Sequence, residues 1–350
     1  MTTRAREKKS DTVTIKEIAA RCQLSTSTVS HVLNGQSGRY SEDTAQRVWR
    51  AIRELGYQPN HIGRMLRKGN DWLYGALVPN LANVFYADFV HALDIALQSQ
   101  DRLLLTVSVG DTLELQQRTM KNMNGAMLAG LVLIGSTAQE LHQIVTLSHR
   151  NTRLVFVNRG TTGLYANYCG VGIDNFGAGK DLAVVVRRGG RRRLALLRGP
   201  DFSYASRQRY EGFLAGWVDH GPDVAIVYDA TIRLTPDAGF AAAQEAVGQN
   251  PDVIYCGNDM VALGVLEYCA THGIRVPDQI LITGFDYNSM TQVLGQRLMT
   301  VAQPIDAMAL TVAEWLSMPQ PEQPVHRIMP HRVVLPRGWN EGPGATTRES

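Results

Sequence analysis

Hydroxyl and imidazole side chains are concentrated between residues 25 and 31, which read STSTVSH. These side chains donate and accept hydrogen bonds, so they can recognise the polar edges of another molecule. The apolar residues Val29, Val32 and Leu33 recur there at helical spacing, which puts the polar side chains on the other face of one helix. The pattern predicts a helix whose polar face is free to contact a partner.

The motifs of common catalytic centres are absent or incomplete in this sequence. Residues 173–183, IDNFGAGKDLA, contain Gly-x-Gly-Lys, but a phosphate-binding loop needs a glycine in place of Asp174 and a hydroxyl residue in place of Asp181. There is no Gly-x-Ser-x-Gly, no His-Glu-x-x-His and no complete dinucleotide fingerprint. The four cysteines lack a metal-ligand spacing. We therefore expect no enzymatic activity, no cofactor and no metal.

Three short helices are predicted around the polar stretch. Thr14 stands three residues before Glu17, a capping-box spacing that marks a helix start, and Ser25 is a suitable cap for a second helix. A third amphipathic helix is expected from Ser41 to a stop at Gly56. Three such helices can close one small core, and one interpretation is a helical bundle whose polar face meets only water.

A short basic stretch after the third helix favours a different interpretation. Residues 59–69, PNHIGRMLRKG, carry an apolar stripe of Ile62, Met65 and Leu66 beside arginine and lysine side chains. Together with the three helices, this stretch resembles the helix-turn-helix headpiece and hinge of the LacI family of bacterial repressors, including its purine-repressor branch. The resemblance covers residues 13–69.

The resemblance implies how the headpiece would bind double-stranded DNA. The second helix enters the major groove, where Thr26, Ser27 and His31 contact base edges. The hinge folds on operator DNA and pushes Leu66 into the minor groove, with Arg64 and Met65 beside it. The residues expected to hold phosphates are Thr14, Ser25, Thr28, Ser30, Asn34 and Tyr57.

Three positions depart from the usual pattern of this family. Gln23 occupies the turn between the first two helices, where a glycine is common because the backbone needs a positive φ. Residues 36–40, QSGRY, make the following loop one residue longer than its commonest form. Gly63 replaces the usual alanine of the hinge, which costs about 1 kcal/mol of helix stability.

Charge divides the chain into a basic end and a larger, weakly acidic remainder. Residues 1–70 hold 13 Lys and Arg against 6 Asp and Glu, or +7, and the rest of the chain holds 22 against 26, or −4. A polyanion would bind at the basic end. At 350 residues the chain is also longer than one ordinary domain.

The terminal segments are polar. The first residues, MTTRAREKKSD, lack the apolar core of a signal sequence, and no apolar run approaches membrane-spanning length. We therefore expect a cytoplasmic, nucleoid-associated bacterial protein. Residues 1–12 and 340–350 are poor in apolar anchors, so both are predicted to be disordered.

From Trp72 onward, short apolar runs alternate with helical patterns. The predicted strands are 74–79, 102–109, 130–135, 153–158, 193–199, 224–229, 252–258 and 280–286. Continuous apolar strands separated by helices indicate parallel sheets covered on both faces, and this many strands favours two doubly wound lobes. The predicted fold class is an all-α helix-turn-helix headpiece joined to an α/β bilobal core.

Polar and aromatic residues follow several of these strands, at the carboxyl ends where open parallel sheets bind ligands. The residues in question are Asn83, Phe85, Tyr86, Asn158, Arg159, Arg209, Asn258, Asp259, Phe285 and Asp286. Taken singly, each could be a cap or turn residue. We assign Arg209 to a turn after strand 193–199, Asp259 to capping the helix that begins MVALG, and Asn258 to the ligand.

As a set these residues resemble the effector cleft of the type I periplasmic-binding-protein fold, which forms the body of LacI-family repressors. The similar segments span residues 72–338 and include SRQRYEGF, CGNDMVALG and ITGFDY. The resemblance implies that Arg209 binds ligand oxygens or a carboxylate and that Asp286 accepts ligand hydroxyl or N–H protons. Phe85 and Tyr86 would provide a stacking wall.

The resemblance also implies lobes that are discontinuous in sequence. Segment 298–304, LMTVAQP, is expected to cross back and complete the first sheet. Helices near 89–97 and 116–127 should contact a twin subunit in a homodimer. The predicted divisions are a headpiece at 13–58, a hinge helix at 59–70 and an effector-binding and dimerisation domain at 71–339, with an N-lobe at 71–171 and 299–339 and a C-lobe at 172–298.

The predicted function is a homodimeric transcriptional repressor that binds a palindromic operator and responds to a small-molecule effector. Lobe closure over the effector would change the spacing of the paired hinges. Release by a sugar or sugar-acid inducer is favoured, and a purine or nucleoside corepressor is the alternative. The sequence also leaves open a metabolite-binding module for transport or chemoreception, an enzyme of doubly wound fold, and an architectural DNA-bending protein without a ligand.

Overall fold

A computed structural model describes residues 13–36, 38–57, 72–110, 118–119, 128–135, 152–158, 168–219, 221, 223–293 and 297–339. The chain divides into two compact units, Met1–Gly69 and Asn70–Ser350. Several predictions lie outside the described residues: the arm at 1–12, the hinge helix at 59–70 with Gly63, Arg64, Met65 and Leu66, the residue Arg159, the helix near 116–127 apart from 118–119, and the tail at 340–350.

The first unit contains the three predicted helices. They are α1 Ile15–Cys22, α2 Thr26–Leu33 and α3 Glu42–Leu55. The side chain of Glu17 accepts a hydrogen bond of 2.6 Å from the Thr14 backbone, and Ser25 Oγ accepts one of 3.1 Å from the Thr28 backbone. Ile18, Val29 and Val48 are fully buried and close the small core. The predicted starts and the stop at Gly56 are confirmed.

The turn between α1 and α2 has the strained backbone expected from its sequence. Gln23 adopts φ 53° and ψ 45°, in the left-handed region. This conformation lets the Leu24 N–H donate to the Ala19 carbonyl at 2.9 Å, so the end of α1 is still satisfied. A side chain in this region costs about 1–2 kcal/mol relative to the right-handed helix, which the surrounding packing must offset.

The second unit contains two parallel sheets. The strands of the first are β1 Leu73–Val78, β2 Leu103–Ser108, β3 Gly130–Ile134, β4 Arg153–Val157, β5 Cys169–Ile173 and β11 Val325–Met329, and those of the second are β6 Arg193–Arg198, β7 Ala225–Thr231, β8 Val253–Cys256 and β9 Leu281–Thr283. Their orders are β11-β5-β4-β3-β1-β2 and β7-β6-β8-β9. Both sheets are doubly wound and parallel, as the apolar runs predicted.

Helices cover these sheets. They are α4 Val84–Gln98, α5 Asn175–Arg188, α6 Tyr204–Asp219, α7 Pro236–Gly248, α8 Asp259–Thr271, α9 Ser289–Val293 and α10 Ile305–Ser317. Helices α4 and α10 pack on the first sheet through Phe89, Leu93 and Val312. We call the first sheet with these two helices the first lobe, and the second sheet with the remaining five helices the second lobe. No described helix is both long enough and apolar enough to cross a membrane.

Strand β5 was not among the predicted strands. Its sequence is CGVGI, and its two glycines interrupt the apolar run that marks the neighbouring strands. A Cβ on Gly172 would lie 2.7 Å from Asn158 Oδ1, and one on Gly170 would lie 2.7 Å from His326 Nδ1. Glycine fits at both positions because other side chains of the fold lie too close for a Cβ. The local sequence pattern does not reveal these neighbours.

The position predicted for segment 298–304 is wrong. Strand β10 Thr300–Ala302 pairs antiparallel with β12 Arg332–Val334, and Met299 bridges to Thr283 beside β9. Met299 and Val301 are buried in the core of the second lobe. The strand that completes the first sheet is β11, which pairs with β5. Residues 299–302 and 332–334 thus belong to the second lobe, contrary to the predicted N-lobe boundary at 299–339.

The chain crosses between the lobes three times in the described region. The crossings lie between β5 and α5, between β10 and α10, and between β11 and β12. Three short crossings beside one another form the usual basis of a hinge between two rigid bodies.

Candidate functional site

Helix α2 presents its hydroxyl residues at the surface of the first unit. Thr26 and Ser27 are exposed in its first turn, and His31 is half-buried one turn later. Ser27 Oγ shares a hydrogen bond of 2.7 Å with Ser25 Oγ, and His31 Nδ1 lies 2.6 Å from Gln36 Oε1. The residues predicted to read bases therefore belong to one short helix, and local hydrogen bonds orient two of them.

The residues predicted to hold phosphates also have structural roles. Ser25 caps α2, and the Thr14 hydroxyl donates to Glu17 at 3.0 Å. Asn34 Nδ2 donates to Ser30 Oγ at 3.2 Å one turn away, and Tyr57 packs half-buried against the core of this unit. Thr28 accepts or donates a hydrogen bond of 2.8 Å with Ser25.

A cleft in the second unit brings together residues from both lobes. It has a volume of about 420 Å³, including space open to solvent. Seven of the residues predicted to bind an effector line it, namely Asn83, Phe85, Tyr86, Asn158, Arg209, Asn258 and Asp286. Phe285 does not line the cleft, because its ring is fully buried beneath Arg209.

The wall from the first lobe is set by the start of α4. Asn83 Oδ1 accepts a hydrogen bond of 3.1 Å from the Phe85 backbone, which fixes this first turn. The Phe85 and Tyr86 rings meet edge to face, with centroids 5.6 Å apart. Gly135 completes the wall, since a Cβ at this position would lie 2.9 Å from the Tyr86 hydroxyl.

Arg209 lies at the centre of the second-lobe wall. It belongs to helix α6, so its predicted place in a turn is wrong. Its Nη1 donates to Asp286 Oδ1 at 3.1 Å, its Nε donates to Asn175 Oδ1 at 2.8 Å, and its guanidinium stacks 3.8 Å from the Phe285 ring centroid. These contacts hold a planar cation rigidly at the cleft.

A chain of hydrogen bonds continues from Asp286 to the first lobe. Gln303 Nε2 donates to Asp286 Oδ1 at 2.7 Å, and Asn158 Nδ2 donates to Gln303 Oε1 at 2.6 Å. Gln303 lies in the crossing between β10 and α10. The ion pair of the second lobe is therefore joined to the end of β4 through a crossing segment.

The backbone is strained at two of these positions. Asp286 has φ 118° and Asn158 has φ 50°, both in the region that favours glycine. Asparagine tolerates the left-handed region, whereas φ near 118° is costly for any side chain. Strain of this kind persists only where surrounding contacts over-determine it, and it is concentrated at functional sites.

The helix cap predicted at Asp259 is wrong, because Asn258 is the capping residue. Asn258 is the N-cap of α8, and its Oδ1 accepts a hydrogen bond of 3.0 Å from the Val261 backbone. Oδ1 accepts the capping hydrogen bond, so Nδ2 is the side-chain atom that remains for another contact. It is buried and has no hydrogen-bond partner among the described residues. Asn258 therefore both caps the helix and retains an N–H group at the cleft.

Asp259 is a buried structural carboxylate. Thr300 Oγ1 donates to it at 2.6 Å and Thr291 Oγ1 at 2.7 Å. Burial, and then the nearby charge of Asp286, raise the pKa of Asp259 to about 7. Burial likewise raises the pKa of Asp286 to about 6, although Arg209 and Gln303 oppose the shift.

Some residues of the site were missed by the sequence analysis. The cleft lining also includes Gly135, Ser203, Ala205, Ser206 and Leu234. Asn175 and Gln303 complete the polar network. Ser203 follows a predicted strand, and Asn175 and Gln303 lie in the segments IDNFGAG and MTVAQP. The general rule on strand ends could have found Ser203, but the partners of Asn175 and Gln303 are distant in sequence. No cluster of three metal-ligating side chains occurs among the residues with defined positions.

Two family models match the chain. The model described as bacterial regulatory proteins, lacI family, matches residues 14–60. A periplasmic binding protein-like domain matches residues 185–338. The first match covers the three helices of the first unit, and the second covers most of the second lobe with the last elements of the first.

Relatives and solved structures are similar over both units. The chain is 26% identical over 337 residues to the HTH-type transcriptional repressor PurR of Escherichia coli, covering 94% of this chain and 98% of that protein. A lac repressor dimer bound to operator and the anti-inducer ONPF has a TM-score of 0.74 at 21% identity, covering 93% and 98% of the two chains. A complex of the transcriptional regulator CelR with cellobiose has a TM-score of 0.67 at 24% identity, covering 93% and 99%.

Proposed function

Because this chain belongs to the lacI family of bacterial regulatory proteins, we propose that a sugar or sugar-acid inducer bound in the cleft releases it from a palindromic operator. The chain is a ligand-responsive DNA-binding transcriptional repressor and not an enzyme. The proposal concerns the chemistry of the effector, the direction of its effect and the residues that bind it.

The observation that carries the proposal is the hydrogen-bonding character of the cleft. Asp286 offers acceptor oxygens, Arg209 offers donors in a planar fork, and Asn258 offers an N–H group that lacks a partner among the described residues. Vicinal hydroxyls of a sugar both donate and accept, so they match this combination. The rings of Phe85 and Tyr86 supply the apolar wall that a sugar face packs against.

A purine or nucleoside corepressor is the second candidate. The similarity to the repressor PurR favours it, and an aromatic wall with an aspartate acceptor also suits a base with N–H groups. The CelR complex with cellobiose favours the sugar. The two candidates differ in direction, because an inducer lowers operator affinity and a corepressor raises it.

In the headpiece, the proposed base contacts are Thr26, Ser27 and His31, and the polar side chains around them hold phosphates. Exposure at the start of α2 supports the assignment. Selecting duplexes from a random pool with variants at Thr26 tests it. A change of preference at particular base pairs, worth about 1–3 kcal/mol each, supports base contact; a uniform loss of affinity assigns Thr26 to the phosphates.

Two copies of the chain would bind the two halves of the operator. Helix α4 buries Phe89, Leu93 and Leu97 in its own lobe but leaves Ile95 56% exposed, and Leu103 on the edge strand β2 is 52% exposed. This apolar edge supports a subunit contact at the first lobe. We further propose that the protein acts in the bacterial cytoplasm, bound to the nucleoid.

The effector proposal is tested by a thermal-shift screen of sugars, sugar acids, nucleosides and purines against the full chain. A ligand at a hundred times its Kd adds about 2.7 kcal/mol to the free energy of unfolding. Each compound that raises Tm is then added to a complex with the selected operator. Loss of the complex with a sugar or sugar acid is the expected result, and strengthening of the complex by a purine would replace the inducer with the corepressor.

Asn258→Asp separates ligand binding from folding in this screen. Aspartate is an equally good N-cap, but burial of its charge lowers the free energy of unfolding, so the rise in Tm with ligand is compared within each variant. The substitution removes the N–H group and places a negative charge against ligand oxygens, so the ligand-dependent rise in Tm should be lost. The matched control is Asn80→Asp, whose side chain accepts from the Ala82 backbone in a surface turn. An unchanged ligand shift in Asn258→Asp would move the effector site elsewhere.

A further inference from the structure

A polar contact joins the two lobes at a place that is not a crossing segment. Asp88 belongs to α4 of the first lobe, and Ser289 is the first residue of α9 in the second. Asp88 Oδ2 accepts from the Ser289 backbone N–H at 2.8 Å, and Asp88 Oδ1 accepts from the Ser289 hydroxyl at 2.8 Å. Both carboxylate oxygens are therefore used across the lobes.

The contact lies next to the cleft on both sides. Asp88 follows Phe85 by three residues, so it lies one helical turn beyond a residue of the aromatic wall. Ser289 follows Asp286 by three residues, at the end of the loop that carries the ion pair. Any motion that separates the walls of the cleft must therefore also separate Asp88 from Ser289.

The polar link through Gln303 is of a different kind. Asn158 reaches Asp286 through Gln303, and Gln303 lies in a crossing segment. Rotation about the crossings changes distances least near the crossings themselves. The Asp88 contact belongs to no crossing, so rotation about the crossings would lengthen it more than the link through Gln303.

The two charged residues of the described cleft lining need no outside partner. Arg209 and Asp286 are paired with each other. The two hydrogen bonds from Ser289 to the Asp88 carboxylate add a link between the lobes, and hydrogen bonds to a charged group are stronger than neutral ones.

We propose that Asp88 and Ser289 form a clasp that holds the two walls of the cleft together, so that an effector enters only after the clasp opens. The inference takes the cleft as the effector site from the proposed function. Asp88 and Ser289 lie outside the cleft lining, so the test of the clasp needs no ligand.

The Ser289 amide reports the clasp directly. The first amide of a helix has no acceptor within that helix, so protection of this amide depends on Asp88. Hydrogen exchange of the full chain is followed by mass spectrometry, with fragmentation that resolves single amides between residues 287 and 291. Asp88→Ala should speed exchange at Ser289 by roughly tenfold or more, while amides in the buried strands keep their rates.

Two further variants complete the test. Ser289→Ala removes the hydroxyl but keeps the backbone donor, so its effect should be smaller than that of Asp88→Ala. Asp94→Ala is the matched control, because Asp94 lies on the same helix and accepts from Gln98 within it at 2.6 Å. The control should leave Ser289 exchange unchanged.

Equal Ser289 exchange in Asp88→Ala and the unaltered protein would overturn the clasp. Equal acceleration at Ser289 and at buried strand amides would also overturn it, since the variant would then act through global unfolding. A thermal-shift screen without a hit would count against the proposed effector site but would leave the exchange result standing.

Discussion

Arg209 and Asp286 are the proposed charged contacts to the effector, and the stability of the fold also depends on them because they form a buried ion pair. Only 9% and 3% of their side chains are exposed, so the two charges depend on each other and on Asn175 and Gln303. Removing one member of a buried pair leaves an uncompensated charge. A single substitution at either position therefore changes folding as well as ligand binding, and the two effects must be measured separately.

The first prediction separates these effects at the ion pair. Arg209→Met should lower the free energy of unfolding by about 3–5 kcal/mol, because Asp286 is left buried without its cation. Adding Asp286→Asn should restore part of that loss, since the amide is neutral and can still accept from Gln303. Denaturant unfolding of both variants measures this. A double variant no more stable than Arg209→Met alone would mean that the pair is not coupled.

The second prediction concerns pH and the buried carboxyl of Asp259. Its pKa of about 7 lies above the ordinary value, so the folded chain holds this proton more tightly than the unfolded chain does. The resulting stabilisation is complete below about pH 4 and is lost as pH rises through about 7. Urea unfolding from pH 5 to pH 8 should show falling stability.

Asp259→Asn tests the origin of this pH dependence. The amide has no proton to lose, so the fall in stability from pH 5 to pH 8 should be smaller in the variant. Asp286 titrates in the same direction, with a pKa of about 6, and preserves some of the slope. Asp94→Asn, at a half-buried position of α4 away from the cleft, should follow the unaltered protein. Parallel curves for Asp259→Asn and the unaltered protein would contradict the assignment.

At the scale of elements, helix ends and strand ends do most of the positioning. Asn83 and Asn258 are N-caps whose helices begin at the cleft, and Gln23 terminates α1 so that α2 can follow after a short turn. Each cap aligns a helix by satisfying backbone donors or acceptors that the helix cannot satisfy itself. The capping residues thus connect the local sequence to the placement of the site.

The third prediction concerns the turn before α2. Gln23→Gly should stabilise the first unit by about 0.5–1 kcal/mol. Glycine adopts a positive φ without the strain that a side chain causes. The relief of this strain is larger than the entropy that glycine gains in the unfolded chain. Hydrogen exchange of amides in α1 and α2 of the full chain measures the gain. Gln23→Ala is the control, because it keeps a Cβ in the same conformation and should give no gain. Equal amide exchange rates in Gln23→Gly and Gln23→Ala would show that backbone strain at residue 23 does not lower the stability of the first unit.

At the scale of the whole molecule, an exposed apolar edge marks the expected subunit contact. Leu103 and Leu105 project from β2 at one edge of the first sheet, and Ile95 is exposed on α4. An edge strand with exposed leucines is a ready site for association. A rotation of the lobes about the three crossings would be transmitted to a second subunit through a dimer contact on one lobe.

The fourth prediction tests this edge. Leu105→Asp should convert the dimer to monomers in sedimentation velocity and weaken operator binding, because a charge replaces an apolar contact. Leu105 is 42% exposed, so the monomer should stay folded. Ile328→Asp, on the opposite edge strand β11, is the matched control. A dimer that survives Leu105→Asp but not Ile328→Asp would place the interface at the opposite edge.

Much of the architecture was predictable from the sequence because it depends on local physics. Helical spacing and the apolar runs of eight strands indicate which side chains are buried. The caps at Thr14, Ser25 and Ser41 supply hydrogen bonds to the backbone at helix starts. Both signals lie within a few residues of sequence. The resemblance of whole segments to one family added lobes that are discontinuous in sequence, although it placed segment 298–304 in the wrong sheet. Base contacts and the hinge stay predictions.

Only the tertiary structure decided which distant groups meet. Arg209 and Asp286 are 77 positions apart, and Asn158 and Gln303 are 145 apart. The apolar sequence of β10 would suit either sheet. The strand belongs to the second lobe because the core of that lobe buries Met299 and Val301. A local pattern records that a side chain is buried, but the partner that buries it is chosen by the packing of the whole fold.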